Sequence, residues 1–203
     1  MVHGADTPLP PISVDEHRDR ILAATTRLPA VELPLEDARG RVLAFDVSAL
    51  VDVPSFDNSA MDGYAVRHAD ALHATDSTPV TLSVVADLPA GSAENPTLGP
   101  GQAARIMTGA AVPDDADCIV PVEATDGGTR QVRIVQAPET AAHIRRTGSD
   151  VHSGDIVLTA GRTLNSRDLA AAAATGNRHF VVYPAPRVGV LSTGTELVEV
   201  GGS

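Results

Sequence analysis

Pro54-Ser55-Phe56-Asp57-Asn58-Ser59-Ala60-Met61-Asp62-Gly63-Tyr64-Ala65-Val66 holds more turn formers than a regular strand or helix tolerates. Pro54 sets one φ, Gly63 permits φ > 0, and Asp57, Asn58 and Ser59 can hydrogen-bond their own backbone. Met61, Tyr64 and Val66 are apolar enough to pin the loop to a core. A pinned loop with carboxylates and hydroxyls at fixed spacing can present ligands to a polar substrate. Read by itself, the same segment also suits a structural Asx-rich turn.

The chain ahead of this loop reads as helix, turn and strand. Met1 to Pro11 carries three prolines and little to bury, so it reads as a loose arm. Ser13-Val14-Asp15-Glu16 is a capping box with acids in the first turn. Ile21, Ala24 and Leu28 share one helical face, and Pro29 stops the helix. Glu36 to Gly40 reads as one helical turn closed by glycine, and Arg41 to Leu50 as a strand entering the loop.

Beyond the loop, Asp70 to Thr78 is a polar connector. Short β-branched runs then follow at Val80–Val85, Gln102–Met107, Cys118–Val122 and Gln131–Val135, divided by Gly and Pro. They predict a compact β-rich unit, barrel or sandwich. After Pro138 the pattern changes: Arg145 to Asp155 is a loop, Ile156-Val157-Leu158 a brief strand, and Asn165 or Ser166 caps an alanine-rich helix ended by Gly176. Phe180 to Tyr183 is a strand. Alanine offers little apolar area, so this helix should pack closely on another backbone, with the helix opening at Ser13 as the expected partner.

The expected fold class is therefore α+β and multidomain. A flexible arm spans residues 1–11. A discontinuous, mixed α/β first domain comprises 12–46 and 139–183, with a barrel-like β-rich domain, 47–138, inserted in it. Pro184-Ala185-Pro186 forms a stiff boundary, and Arg187 to Leu191 reads as a buried strand. That strand runs into Ser192-Thr193-Gly194-Thr195-Glu196, as at the start of a doubly wound α/β domain. One parallel strand cannot form a sheet, so residues 187–203 are expected to be only the opening of such a domain.

Composition narrows the functional classes. The 203 residues are 43% hydrophobic and 20% charged, with a net charge of −11. These are globular values, and the acidity argues against a nucleic-acid partner. Aromatics make up 2% with no Trp, leaving Val, Leu, Ile and Ala to build the core. Cys118 is alone, which fits a reducing compartment. No signal peptide and no bilayer-spanning apolar run is visible, so the expected location is cytoplasmic, with no membrane partner. The seven histidines show no HExxH spacing. Gly99-Pro100-Gly101-Gln102-Ala103-Ala104 fits a dinucleotide pattern, but no convincing strand precedes it, so neither nicotinamide nor flavin is expected.

The signature segment closely resembles that of the molybdopterin molybdenumtransferases, the molybdenum-insertion family that includes the gephyrin E domain. Three further stretches resemble the same family in the same order: Arg105-Ile106-Met107-Thr108-Gly109-Ala110, Arg145-Arg146-Thr147-Gly148-Ser149-Asp150-Val151 and Leu191-Ser192-Thr193-Gly194-Thr195-Glu196-Leu197. The resemblance runs from about Ser13 onward and covers the first half of a family member. It implies insertion of molybdate into adenylylated molybdopterin with Mg²⁺ and release of AMP. It also implies a homodimer whose cleft joins the β domain of one subunit to the α/β domain of the other, and molybdopterin adenylyltransferase as a partner.

The same resemblance assigns roles. Asp62 and Thr108 are the expected catalytic pair, with Ser59, Gly109, Asp150 and Glu196 binding substrate and Asp62 and Glu196 holding metal. A carboxylate suits Mg²⁺ but repels molybdate, so Asp62 should act through a cation or a proton. Thr108 beside exposed N–H groups can hold an oxyanion. Two departures stand out: Ser149 replaces the Glu usual before Asp150, and Thr195 replaces an acid often found before Glu196. The substrates are anions on an acidic protein, so local positive charge or a metal must offset that field. As an incomplete N-terminal part, the chain is expected to fold, to dimerise through its first domain and not to insert molybdenum. The alternative is a non-catalytic dimerisation or scaffold module of cofactor assembly.

Overall fold

A computed structural model describes residues 11–192 together with 194, 198 and 201. In chain order its elements are α1 (Val14–Ala24), β1 (Val31–Pro34), β2 (Val42–Leu43), β3 (Val47–Ser48), β4 (Asn58–Ser59), β5 (Gly63–Val66), α2 (His68–Ala71) and β6 (Val80–Leu88). Then come β7 (Gln102–Ile106), β8 (Cys118–Pro121), β9 (Gln131–Ile134), β10 (Ile144–Arg145), β11 (Ile156–Leu158), α3 (Ser166–Ala174) and β12 (His179–Tyr183). The fold is mixed α/β, with a curled sheet and few helices.

The largest sheet has the order β8-β5-β7-β6-β9. The four β-branched runs of the sequence are four of its strands, and the fifth is the end of the signature segment. Gly63–Val66 was not expected to be strand, yet β5 lies between β7 and β8 and is antiparallel to both. Its four residues are buried because the sheet is covered on both sides. Tyr64 and Val66 join Leu82, Ala103, Val120, Val132 and Ile134 on one face. Ala65 joins Leu88, Leu98, Ala104, Ile106 and Ile119 on the other. A strand buried on both faces shows no polar–apolar alternation, so the sequence pattern hid it. β6 runs parallel to β7, with a register shift between Val84 and Ala86 that sets Asp87 opposite Arg105.

A second sheet, β1-β12-β2, joins the early chain to residues 179–183. Its core holds Leu43, Leu158, Leu164, Leu169, Phe180 and Val182. Asn165 caps α3 in a full capping box with Asp168, and Leu169 and Ala172 of α3 enter this core.

Three expectations need correction here. The helix from Ser13 forms, with Ser13 Oγ accepting from Glu16 N–H at 3.1 Å, but it ends at Ala24 and buries nothing. Ile21 is 53% exposed and Leu22 62%, so α1 does not supply the close packing expected for α3, which lies on β strands instead. Arg41–Leu50 is not one strand but the two-residue pairs β2 and β3, with a bend between them. Arg187–Leu191 is neither buried nor paired: Val190 is 86% exposed and Leu191 92%. No strand lies beside it among the described residues, and without a ladder an apolar run has nothing to hold it extended.

Candidate functional site

The signature segment is held as the middle line of a small ribbon. β4 pairs with β10, setting Ser59 opposite Ile144 and Asn58 opposite Arg145. On its other side Ser59 N–H donates to Ala110 O at 3.0 Å, and Gly109 N–H donates to Ser59 O at 2.8 Å. Backbone bonds on both flanks leave the segment little freedom, so the short polar side chains that discourage regular structure can project from fixed points.

Each aspartate of the signature clasps one Thr-Gly turn. Asp62 Oδ1 accepts from Thr108 N–H at 2.7 Å and from Thr108 Oγ1 at 2.8 Å. Asp57 Oδ1 accepts from Thr147 N–H at 2.8 Å and from Thr147 Oγ1 at 3.0 Å, while its Oδ2 pairs with Arg146. The first clasp follows from register. Gly63 lies opposite Ile106 across β5 and β7, so Asp62 and Thr108 flank the same end of that strand pair. Gly109, next to Thr108, has φ 83°, which lets the chain turn back to Ser59 at once.

Both carboxyls are held below the ordinary carboxylate pKa of 3.8. For Asp62 the Thr108 N–H is the main cause, then the Thr108 hydroxyl, with the Arg105 charge adding to it. For Asp57 the Thr147 N–H leads, then Arg146. Asp126 and Asp168 are lowered as well, by the Arg133 N–H and by the Arg162 guanidinium respectively. The folded values lie below the unfolded ones, so these bonds contribute fully above about pH 4 and are lost as pH falls through the folded values. The melting temperature is therefore expected to hold from neutrality down to the ordinary carboxylate value of 3.8 and to fall below it, as thermal denaturation followed by circular dichroism will read.

The expected site residues divide into three groups. Asp62 and Thr108 come together, exposed to solvent, in direct hydrogen-bond contact. Ser59 does not face a substrate: it is fully buried, and its hydroxyl bonds the backbone carbonyl of Met61, so its role is to hold the turn. The Gly109 N–H is likewise occupied by Ser59 O. Asp150 is exposed and tied through its N–H to Val53 O at 3.0 Å, with no bond to Asp62 or Thr108. Glu196 lies outside the described residues.

Among the described residues no group of three or more His, Cys, Asp or Glu side chains could hold a metal ion. Asp62 offers one carboxylate, so these residues do not by themselves make a Mg²⁺ site.

The sequence reading missed Asp57, Arg146 and Thr147. They line a groove of about 520 Å³ with Phe56, Asn95 and Val112. The letters held only part of the signal: two aspartates stand five positions apart, but four Thr-Gly dipeptides follow, at 108, 147, 175 and 193, and nothing local says which pair with them.

Fold and clasps together define a mixed α/β protein whose polar side chains stand on turns around a curled sheet. Residues 12–176 match the family model for the MoeA N-terminal region (domain I and II). The chain belongs to the molybdopterin molybdenumtransferase family and corresponds to its N-terminal region. It is 48% identical over 189 residues to molybdopterin molybdenumtransferase 2 of Mycobacterium tuberculosis, covering 93% of this chain and 47% of that protein. It is 37% identical over 194 residues to the molybdopterin molybdenumtransferase of Bacillus subtilis, covering 94% and 45%. The crystal structure of the molybdopterin biosynthesis MoeA protein from Pyrococcus horikoshii OT3 superposes with a TM-score of 0.82 at 31% identity, over 93% of this chain and 50% of that one. The chain thus spans about half the length of the curated relatives it matches. No helix among the described residues is long and apolar enough to cross a membrane.

Proposed function

We propose that this chain supplies the Asp62–Thr108 edge of a site that inserts molybdate into adenylylated molybdopterin, releasing AMP. The observation that carries the reading is the exposed, ionised Asp62 carboxylate held by both the N–H and the hydroxyl of Thr108. Two separate family motifs meet there. A carboxylate kept ionised can take a proton or a cation without first losing its own proton. Thr108 can redirect its hydroxyl from Asp62 to a ligand oxygen, because a hydroxyl both donates and accepts. Asp150 and Glu196 belong to the same proposal as outlying substrate groups. Mg²⁺ is the cation it calls for, with Asp62 giving one oxygen and further ligands coming from outside the described residues.

The proposed organisation is a first domain of 12–46 and 139–183 with 47–138 inserted, a cytoplasmic homodimer, and molybdopterin adenylyltransferase supplying the substrate. The uncovered apolar side chains of α1, Val14, Ile21 and Leu22, support dimerisation through the first domain. The proposed activity needs a second half, so the isolated chain is expected to fold and to give no AMP release above background from adenylylated molybdopterin and molybdate. Fused to the C-terminal half of the 48%-identical Mycobacterium tuberculosis relative, it is expected to turn over. Robust turnover by the isolated chain would refute the division of labour.

A further inference from the structure

Arg105 stands on β7, three residues before Thr108. In the β5–β7 register it is opposite Tyr64, and Tyr64 is two residues from Asp62. Side chains of directly opposed residues share a face, so Arg105 stands on the Tyr64 face of the sheet. The Arg105 charge is the least of the causes that hold the Asp62 carboxyl below its ordinary value.

The partner Arg105 holds is a poor one. Its Nη1 lies 3.1 Å from Asp87 Oδ2, and the two side chains are 37% and 60% exposed. An exposed pair of this kind contributes little and yields to a better acceptor. That partner is also there by an irregularity. The extra residue in β6 between Val84 and Ala86 shifts the register so that Ala86 lies opposite Ala104 and Asp87 opposite Arg105. Around the pair is a hollow of about 230 Å³, lined by Val84, Val85, Ala86, Asp87, Arg105 and Thr129. One guanidinium, one hydroxyl and a weak carboxylate lid suit a small tetrahedral oxyanion.

We infer that Arg105 is an oxyanion-binding residue: it leaves Asp87 to take the charged oxygens of a molybdate or phosphate group presented at this hollow. The geometry favours the exchange, because a guanidinium binds a tetrahedral oxyanion through two parallel N–H···O bonds, shorter and stronger than one contact to an exposed carboxylate. It also answers how a protein of net charge −11 accepts anions. Asp87 neutralises Arg105 while the hollow is empty and is displaced when an anion arrives. The inference rests on the proposed function for the identity of the anion and on geometry for the anion subsite itself.

Titration calorimetry on the chain, with sodium molybdate in one arm and AMP in the other, tests it. Binding in either arm is expected to weaken about tenfold in Arg105→Gln, to be partly restored in Arg105→Lys, and to strengthen severalfold in Asp87→Asn. Asp76→Asn, which makes the same charge change in the exposed connector outside the hollow, is expected to leave affinity within about twofold. The molybdate arm alone responding identifies the metal oxyanion, and the AMP arm alone identifies the phosphate. Binding that ignores Arg105, strengthening in Asp76→Asn equal to that in Asp87→Asn, or no binding in either arm would overturn the inference. The proposed function fails separately: if Asp62→Ala leaves molybdate insertion intact in the fused protein while Arg105→Gln still weakens anion binding, the subsite stands and that function does not.

Discussion

Replacing Asp62 by Ala in the fused protein is expected to lower kcat/KM for molybdate insertion at least about 100-fold, the scale of losing one preorganised polar group at a reacting centre. The expectation follows from placement. Asp62 is exposed, so its loss leaves no hole in a core. Two hydrogen bonds from Thr108 fix one of its oxygens and leave the other for chemistry. Thr108→Val removes the hydroxyl donor but keeps the N–H donor, so the expected loss is smaller, about tenfold. A merely structural Asp62 would give the opposite pattern, with a lower melting temperature and unchanged kcat/KM. A scaffold without catalysis would likewise keep its partner binding in Asp62→Ala.

The second large effect falls one residue later and on the fold rather than the chemistry. A Cβ on Gly63 would stand 2.0 Å from Val120 O and 2.9 Å from Val120 C. Both are backbone atoms of β8, the strand bonded to β5, so no side chain can swing aside. Gly63→Ala is expected to cost about 3 kcal/mol or more, since overpacking here must move a central strand. Urea unfolding gives the number, and a loss below about 1 kcal/mol would mean that β8 yields easily. Gly109→Ala offers the contrast. Nothing lies within 4 Å of its Cβ position, so the cost is that of φ 83° alone, about 1 kcal/mol.

How much of this was legible in the letters depended on what each segment needs from elsewhere. Val80–Val85 and Gln131–Val135 could be read as strands because β-branched residues and flanking Gly and Pro are local signals. The Asn165 cap was legible for the same reason. Gly63–Val66 was not, because its strand character comes from neighbours on both edges and from cores on both faces. The exposed face of α1 could not be foreseen either: Ile21 and Ala24 have helical spacing, and spacing says that a face is apolar without saying what covers it.

At the site the resemblance pointed to Asp62 and Thr108, and register explains why they meet. It also pointed to Ser59 and Gly109, whose polar groups turn out to be spent on the turn itself. Asp57 reads in the sequence as bonding its own turn, because its real partners, Arg146 and Thr147, lie 89 and 90 residues away. Local pattern can show that a side chain is suited to clasp something; only the fold supplies what is clasped.

One measurement reaches the centre of this account: the carbon-13 NMR titration of the Asp62 carboxyl in the isolated chain, compared with Thr108→Val. The account predicts a midpoint below 3.8 in the parent protein, moving back up towards the ordinary value when the Thr108 hydroxyl is removed. A parent midpoint at or above the ordinary value, or one that Thr108→Val leaves in place, would show that the two motifs do not form one reactive edge.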